Sequence, residues 1–418
     1  MLRAAKGARY MKPLEGLKVV ELGMYVAAPG ISRLLGDWGA EVIKVEAPKG
    51  DNCRYAGKQT RLPAAPDCNP IFSIANSGKK MVSLDLKTPE GMEVMEKLLA
   101  EADIFVTNTR YGGLVRLGLD YERLHLRYPR LICCYVNGYG FEGPEKDRAG
   151  FDLTSFWAKT GILNAMRHPG EAPRFPPPGI GDQATAYVAT AGILAAVYRR
   201  AGTGEGSKVS TSLMATGIWS NYNHITTGQD RPEGDPYKPM HTPEPYKDWK
   251  NPFYHVYKCK DGRMFFLLGG GYSLLHTTFH ALGLDDLVDD PRYIDRSTML
   301  QNTDYLYDRM IEAFETKTAK EWEQILGALD IPFEVLAGNW EVSKDPQAWA
   351  NGCLTHMECP NGSIYIVPNS PVEFSDMERT QTRHAGTIGC DTREILTTLG
   401  YTQEQIEELL QRGIAVVK

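Results

Sequence analysis

Pro176-Pro177-Pro178-Gly179-Ile180-Gly181-Asp182-Gln183 opens the segment of the sequence from which the fold can be read outward. Three prolines forbid a helix, two glycines permit tight backbone, and an acid then stands where helical periodicity begins. Apolar residues recur at helical spacing from there on: Ala184, Tyr187, Val188, Ala191, Leu194, Ala195 and Tyr198. Small residues on the opposite side (Ala186, Ala189, Gly192, Ala196) predict a second face that another backbone approaches closely. Arg199-Arg200 and Gly202 close the helix with cations in its last turn and a glycine stop. Asp182 is thus expected at the N-terminus of a buried helix, where orphan amides and the positive dipole end favour its charged form. Two roles fit that place. Asp is a preferred N-cap, and a carboxylate kept ionised and partly shielded from water can act as a covalent nucleophile.

Upstream, residues 17–22, 41–46, 79–86, 103–108 and 131–137 read as strands. Helices are expected between them, announced most clearly by Thr88-Pro89-Glu90, with Thr as cap, Pro in the first turn and an acid beside it. A further strand at 208–213 follows the long helix. This alternation predicts an α/β fold with a mostly parallel sheet and helices on both faces. Gly138-Tyr139-Gly140-Phe141-Glu142-Gly143 matches the dinucleotide fingerprint, but Pro144-Glu145-Lys146-Asp147 follows instead of an apolar helix, so the match is a decoy. Residues 226–249 read as a linker, and 253–258 with 264–268 as a hairpin about Asp261-Gly262. Asp391, with Glu394 three residues on, is the expected cap of a helix from Thr392.

The chain has 418 residues, enough for two domains, and 42% of them are hydrophobic. A net charge of −6 argues against nucleic acid as a partner, and the sequence has no apolar run long enough to span a bilayer. The first twelve residues hold four cations without an apolar core, so no secretory signal is expected, and Met11 fits as the working start. Eight cysteines without framework spacing predict reduced thiols in a cytoplasmic protein. Nine scattered histidines show no ligand spacing, so no metal site is expected.

In their order and spacing several short motifs resemble the class III coenzyme A transferases, the formyl-CoA and carnitine CoA-transferase family, with the closest likeness to the branch acting on 2-hydroxy and 2-enoyl acids (phenyllactate or 2-hydroxyisocaproate). The signposts are Pro13-Leu14-Glu15-Gly16, the run Leu35-Gly36-Asp37-Trp38-Gly39-Ala40-Glu41-Val42-Ile43-Lys44-Val45-Glu46, Leu84-Asp85-Leu86-Lys87-Thr88-Pro89-Glu90-Gly91, and Gly179-Ile180-Gly181-Asp182 before Ala191-Gly192-Ile193-Leu194. The likeness implies a large Rossmann-like domain built from both chain ends (13–225 and 331–418, after an extension at 1–12). A smaller middle domain at 226–330 and a homodimer of subunits threaded as interlocked rings complete the implied architecture.

It also implies roles. Asp182 is the acyl-accepting nucleophile; Leu84, Lys87, Asn108 and Arg116 hold the nucleotide end of coenzyme A, where three phosphates need cations and donors. Lys146 and Arg148, just past the strand at 131–137, join them. On the acyl side the expected residues are Gly181, Gln183, Tyr222, Gly270 and Gly271. The implied reaction moves coenzyme A from an acyl-CoA to a free carboxylic acid, with coenzyme A thioesters as substrates and no tightly bound cofactor. Aromatics in Trp219-Ser220-Asn221-Tyr222-Asn223-His224 and Phe253-Tyr254-His255 suggest a pocket for a bulky or aromatic acid. Two alternatives share the fold. An α-methylacyl-CoA racemase carries a His where this chain has Phe151, before Asp152, and a silent acyl-CoA-binding relative would keep Asp182 without turnover.

Overall fold

A computed structural model describes residues 11–57, 68–166, 172–228, 251–268 and 272–418. These group into two compact units: those within Met1–Arg167, Pro173–Pro239 and Pro346–Lys418, and those within His168–Ala172 and Met240–Asp345. The linker expected at 226–249 falls mostly outside the described residues, as do Gly270 and Gly271.

The first unit is organised by one sheet. Its strands are β1 (Lys18–Leu22), β2 (Glu41–Glu46), β3 (Lys80–Leu84), β4 (Ile104–Thr107), β5 (Ile132–Asn137) and β6 (Lys208–Ser212), all parallel. The second unit holds an antiparallel sheet of β7 (Tyr254–Lys258), β8 (Met264–Leu268) and β9 (Phe333–Val335). Because β9 pairs with β8, this unit runs on to Asp345, past the return at 331 expected from the sequence. Back in the first unit, β10 (Leu354–Glu358) and β11 (Ile364–Pro368) form a hairpin, and β12 (Ala415–Val416) adds antiparallel to β3. The large sheet therefore reads β12-β3-β2-β1-β4-β5-β6.

Side chains along its central strands alternate between two cores, the period of two that a strand imposes. Val20, Val45, Val82, Phe105, Cys133 and Tyr135 enter one; Val19, Val42, Ile104, Val106, Ile132 and Cys134 enter the other. The second core is closed by α1 (Ala27–Asp37) and the long helix Ile180–Thr203. In chain order the helices that matter for the site are α1, α2 (Pro70–Asn76), α3 (Pro89–Glu101), α4 (Tyr111–Leu117), α5 (Tyr121–Arg127), α6 (Ile162–Ala165), α7 (Ile180–Thr203), α8 (Leu213–Ser220) and α9 (Tyr222–Thr227). α3 begins as its sequence announces, with the Thr88 hydroxyl accepting from the Gly91 amide at 3.1 Å.

Two local expectations are overturned by long-range partners. Asp391 does flank the helix Thr392–Thr398, but its carboxylate accepts from the Met81 amide of β3 at 2.7 Å instead of capping. Cys68 and Cys359 are joined in a disulfide across 291 residues, with Cα atoms 5.7 Å apart, so the expectation of eight free thiols is corrected. Among the described residues no helix is long and apolar enough to cross a membrane.

Candidate active site

Parallel strands place their carboxyl ends, and the helices that follow them, around one rim where ligands of open α/β sheets bind. On the face covered by α3 and α4 that rim contains a cavity of about 720 Å³. Leu22 and Leu84 end two of the strands beneath it; Lys87, Met92 and Arg116 line it from above, and Ala47 stands at its edge. Three of the residues expected to hold the nucleotide, Leu84, Lys87 and Arg116, are thus brought together. Leu84 is buried, while Lys87 and Arg116 are exposed and have no acidic partner among the described residues.

Asn108 is engaged differently. Its amide donates to the Met24 carbonyl at 2.8 Å and its oxygen accepts from the Met24 amide at 2.9 Å, so it pins the loop between β1 and α1. Lys146 and Arg148 are exposed and are not part of the cavity wall. Arg148 pairs with Glu145 and lies over the Tyr139 ring. The glycine-rich Gly138–Gly143 turn leads into bends and turns, and the next helical segment starts only at Asp152.

On the other face, Gly179 (φ 90°) turns the chain into α7, so Asp182 is the third residue of the helix and not its cap. The capping carboxylate comes from Asp152, at the start of a wide, π-type helical segment (Asp152–Ala158) that follows β5. Asp152 Oδ2 accepts from the Gly179 amide at 2.8 Å and Oδ1 from the Asp182 amide at 3.1 Å. Gly181 makes this approach possible, since a Cβ there would lie 2.4 Å from Asp152 Oδ1 and 2.3 Å from the Phe156 ring.

The side chain of Asp182 itself is half-buried and has no hydrogen-bond donor or cation among the described residues. Burial first, and the charge of Asp152 second, push its carboxyl up to about 7. This corrects the expectation that the helix start would favour the charged form. Two of the amides there, those of Gly179 and Asp182, are committed to Asp152, and desolvation dominates. Of the amides expected to face a developing oxyanion, Asp182 donates to Asp152 and Gln183 to the Gly179 carbonyl, leaving Gly181 without an acceptor among the described residues. Gln183 turns toward α1, where its Oε1 lies close to Gly30, and it lines a separate cavity of about 180 Å³ with Arg33 and Tyr187.

Beside this pair lies a different kind of cluster. Lys44 Nζ meets Glu21 at 2.7 Å and Asp51 at 3.1 Å, Lys79 meets the other Glu21 oxygen at 2.6 Å, and Arg54 forks onto Glu46 at 2.7 and 2.9 Å, all buried. Burial opposes the charge of Lys44, yet Glu21, Asp51 and Glu46 outweigh it and hold the ammonium above the usual lysine range. Asp51 Oδ1 also accepts from the amides of Tyr25 (3.1 Å) and Cys53 (2.9 Å), joining this network to the loop before α1. Cys53 is a buried thiol pushed up to about 12, by burial first and by Asp51 and Asp182 among its neighbours.

Tyr222 is exposed on α9, next to Asn221, whose amide donates to the Thr160 carbonyl. Trp219 is exposed as well, whereas Phe253 is buried in the core of the second unit, a packing role that removes it from any acid pocket. Asp152, Tyr25 and Asp51 were not singled out as site residues from the sequence. Their partners lie too far along the chain to leave a local signature.

The first unit thus combines a mostly parallel sheet, a rim cavity lined by two cations and a half-buried carboxylate near a helix start, the two cations and the carboxylate without an ion-pair partner among the described residues. The chain belongs to CoA-transferase family III, whose profile matches residues 14–392. It is 38% identical over 394 residues to the (R)-2-hydroxy-4-methylpentanoate CoA-transferase of Clostridioides difficile, spanning 94% of this chain and 97% of that one. It is also 36% identical to the cinnamoyl-CoA:phenyllactate CoA-transferase of Clostridium sporogenes, over 94% and 95% of the two chains. Among solved structures, a CAIB/BAIF family protein from Brucella suis superposes with a TM-score of 0.77 at 28% identity, covering 93% of this chain and 99% of that one.

Proposed function

We propose that this enzyme transfers coenzyme A from an acyl-CoA to a free 2-hydroxy or 2-enoyl acid with a branched or aryl side chain, through covalent intermediates on Asp182. The observation that carries the reading is the half-buried Asp182 carboxylate, which has no donor or cation among the described residues and faces a second acid. Such an arrangement serves no structural end and is typical of a functional group. An Asp182 oxygen attacks the thioester carbonyl carbon, the C–S bond breaks, and coenzyme A leaves as thiolate from a mixed anhydride. The thiolate attacks the aspartyl carbonyl, the anhydride C–O bond breaks, and the donor acid departs as carboxylate from an aspartyl thioester. The acceptor carboxylate repeats both steps in reverse, restoring Asp182 with no net proton change.

An anhydride preserves acyl activation, which is why a carboxylate suits this transfer. The free Gly181 amide is the donor available to the oxyanion. Leu84, Lys87 and Arg116 would receive the nucleotide, with the phosphates on the two cations. The substrate reading draws on the relatives named for 2-hydroxy-4-methylpentanoate and for cinnamoyl-CoA with phenyllactate. With the family resemblance comes the proposal of a ring-interlocked homodimer, and with the mostly free cysteines that of a cytoplasmic site of action; light scattering giving a monomer mass would refute the first.

Enzyme incubated with acyl-CoA and quenched with hydroxylamine should yield a hydroxamate at Asp182, found by peptide mass. Modification at a different acid, or none while transfer proceeds, would overturn the mechanism.

A further inference from the structure

Tyr25 holds a left-handed backbone, φ 62°, in the loop between β1 and α1. A bulky residue there is strained unless its surroundings fix it, and strain of this kind collects at functional sites. The surroundings do fix it. Asn108 grips both main-chain groups of Met24, and Asp51 accepts from the Tyr25 amide. Asp51 is itself locked by Lys44 at 3.1 Å. The loop is thus pinned from two sides to present one aromatic side chain.

That side chain meets Phe151 edge to face, with ring centroids 5.7 Å apart and planes at 89°. Phe151 is 57% exposed and Tyr25 36%, although both are large and apolar. The Tyr25 hydroxyl has no partner among the described residues. Phe151 immediately precedes Asp152, whose carboxylate holds the Asp182 amide. From the other direction, Asp51 accepts from both Tyr25 and Cys53, and Cys53 lies close enough to Asp182 to feel its charge. The contacts form a path that runs from Asp182 through Asp152, Phe151, Tyr25 and Asp51 to Cys53. Both rings on that path remain open to solvent, and one of them belongs to the residue before the acid that holds the Asp182 amide.

We infer that Tyr25 and Phe151 form the aromatic wall that receives the side chain of the transferred acid and sets the preference for bulky over small acids. The inference rests on the transferase reading of Asp182 and deepens it. An edge-to-face pair gives an apolar surface with a fixed shape, which favours branched or aryl side chains over a methyl group by burying more of their surface. Two acids adjoin the wall through main-chain links, Asp51 at the Tyr25 amide and Asp152 next in sequence to Phe151. Asp51 is neutralised by Lys44, and Asp152 is spent on amides.

The test compares kcat/KM for 4-methyl-2-hydroxypentanoate and for 2-hydroxypropanoate with one CoA donor, in the wild type and in Phe151→Ala and Tyr25→Asn. Asn tolerates the left-handed backbone and keeps the amide bonded to Asp51. In the wild type the larger acid should lead by at least tenfold, and each variant should cut that lead by about tenfold while leaving the smaller acid within about threefold. Equal losses on both acids, an unchanged ratio, or no lead in the wild type would overturn the wall. So would a change of mass in solution for Phe151→Ala, which would reassign the rings to a protein contact. Failure of the transferase reading looks different: the wild type would then move coenzyme A to neither acid.

Discussion

The network around Lys44 and the pair formed by Asp152 and Asp182 are both clusters of buried charge in the same unit, and they are balanced in opposite ways. In the first, Glu21, Glu46 and Asp51 stand against Lys44, Lys79 and Arg54, three acids to three bases, each within ion-pair distance of a partner. In the second, two carboxylates adjoin with no cation among the described residues, and one of them is pushed up to about 7. Burying an ion is tolerable when its field is returned by partners, and unfavourable when it is not. The balanced cluster therefore reads as structure. The unbalanced one reads as a site that a substrate completes. Lys87 and Arg116 make a third case of opposite sign, two cations at the cavity rim without an acidic partner among the described residues, as the proposed phosphate role requires.

The sharpest way to break the comparison is to remove the unbalanced acid. Asp182→Ala should lower kcat by on the order of 10⁴-fold or more, because no other group can carry the acyl intermediate. The fold should remain, since Asp152 still accepts from the two amides at the start of α7. Steady-state transfer assays alongside circular dichroism separate the two effects. Residual activity within tenfold of the wild type would make Asp182 a helix residue like any other.

The opposite intervention is Lys44→Met. Among the described residues it leaves Asp51 without an ion pair and Glu21 with Lys79 alone. Uncompensated buried charge of this kind destabilises by about 3–5 kcal/mol, read as a lower urea midpoint. If stability is unchanged, the network is not the balanced scaffold described above. Weaker by comparison, Arg116→Ala should raise KM for the CoA donor by about 2 kcal/mol in binding, roughly 30-fold, with kcat and the acceptor's KM little changed. An effect confined to the acceptor acid would place Arg116 at the wrong end of the ligand.

Much of this was legible before any coordinates, and the division follows the range of the interactions. Strands at Glu41–Glu46 and Ile132–Asn137 and the helix opened by Thr88-Pro89-Glu90 announce themselves through neighbours a few residues away. Leu84 and Lys87 lie at or just beyond the end of β3 and Arg116 in the last turn of the helix after β4, and topology brings them to one cavity. What escaped depends on partners far along the chain. Asp152 caps a helix whose amides lie 27 and 30 residues on, and Asp391 gives up its own helix for an amide 310 residues away. Cys68 finds Cys359 across 291 residues. The charge state of Asp182 was misjudged for a related reason. A helix start favours an anion through its free amides, and here a second acid claims two of them, at Gly179 and Asp182.

The smallest effect expected is also the most specific to an unbalanced acid. Asp182 titrates near 7 in the fold against an ordinary 3.8 when unfolded. Below about pH 4 both states hold the proton, and Asp182 contributes no pH dependence. Between 4 and 7 the unfolded chain has released a proton that the folded state keeps, so stability falls as pH rises. Above 7 both states are ionised and the whole penalty is present. Asp182→Asn removes the ionisation, so it should stabilise the protein at pH 8.5 by on the order of 1–2 kcal/mol once partial exposure is allowed for. Near pH 5 the gain should shrink to a fraction of that. Thermal unfolding at the two pH values reads this as a shift in Tm of a few degrees that is larger at the alkaline one. A gain of equal size at both would mean that Asn relieves packing and not charge, and the contrast with the Lys44 network would then lose its electrostatic basis.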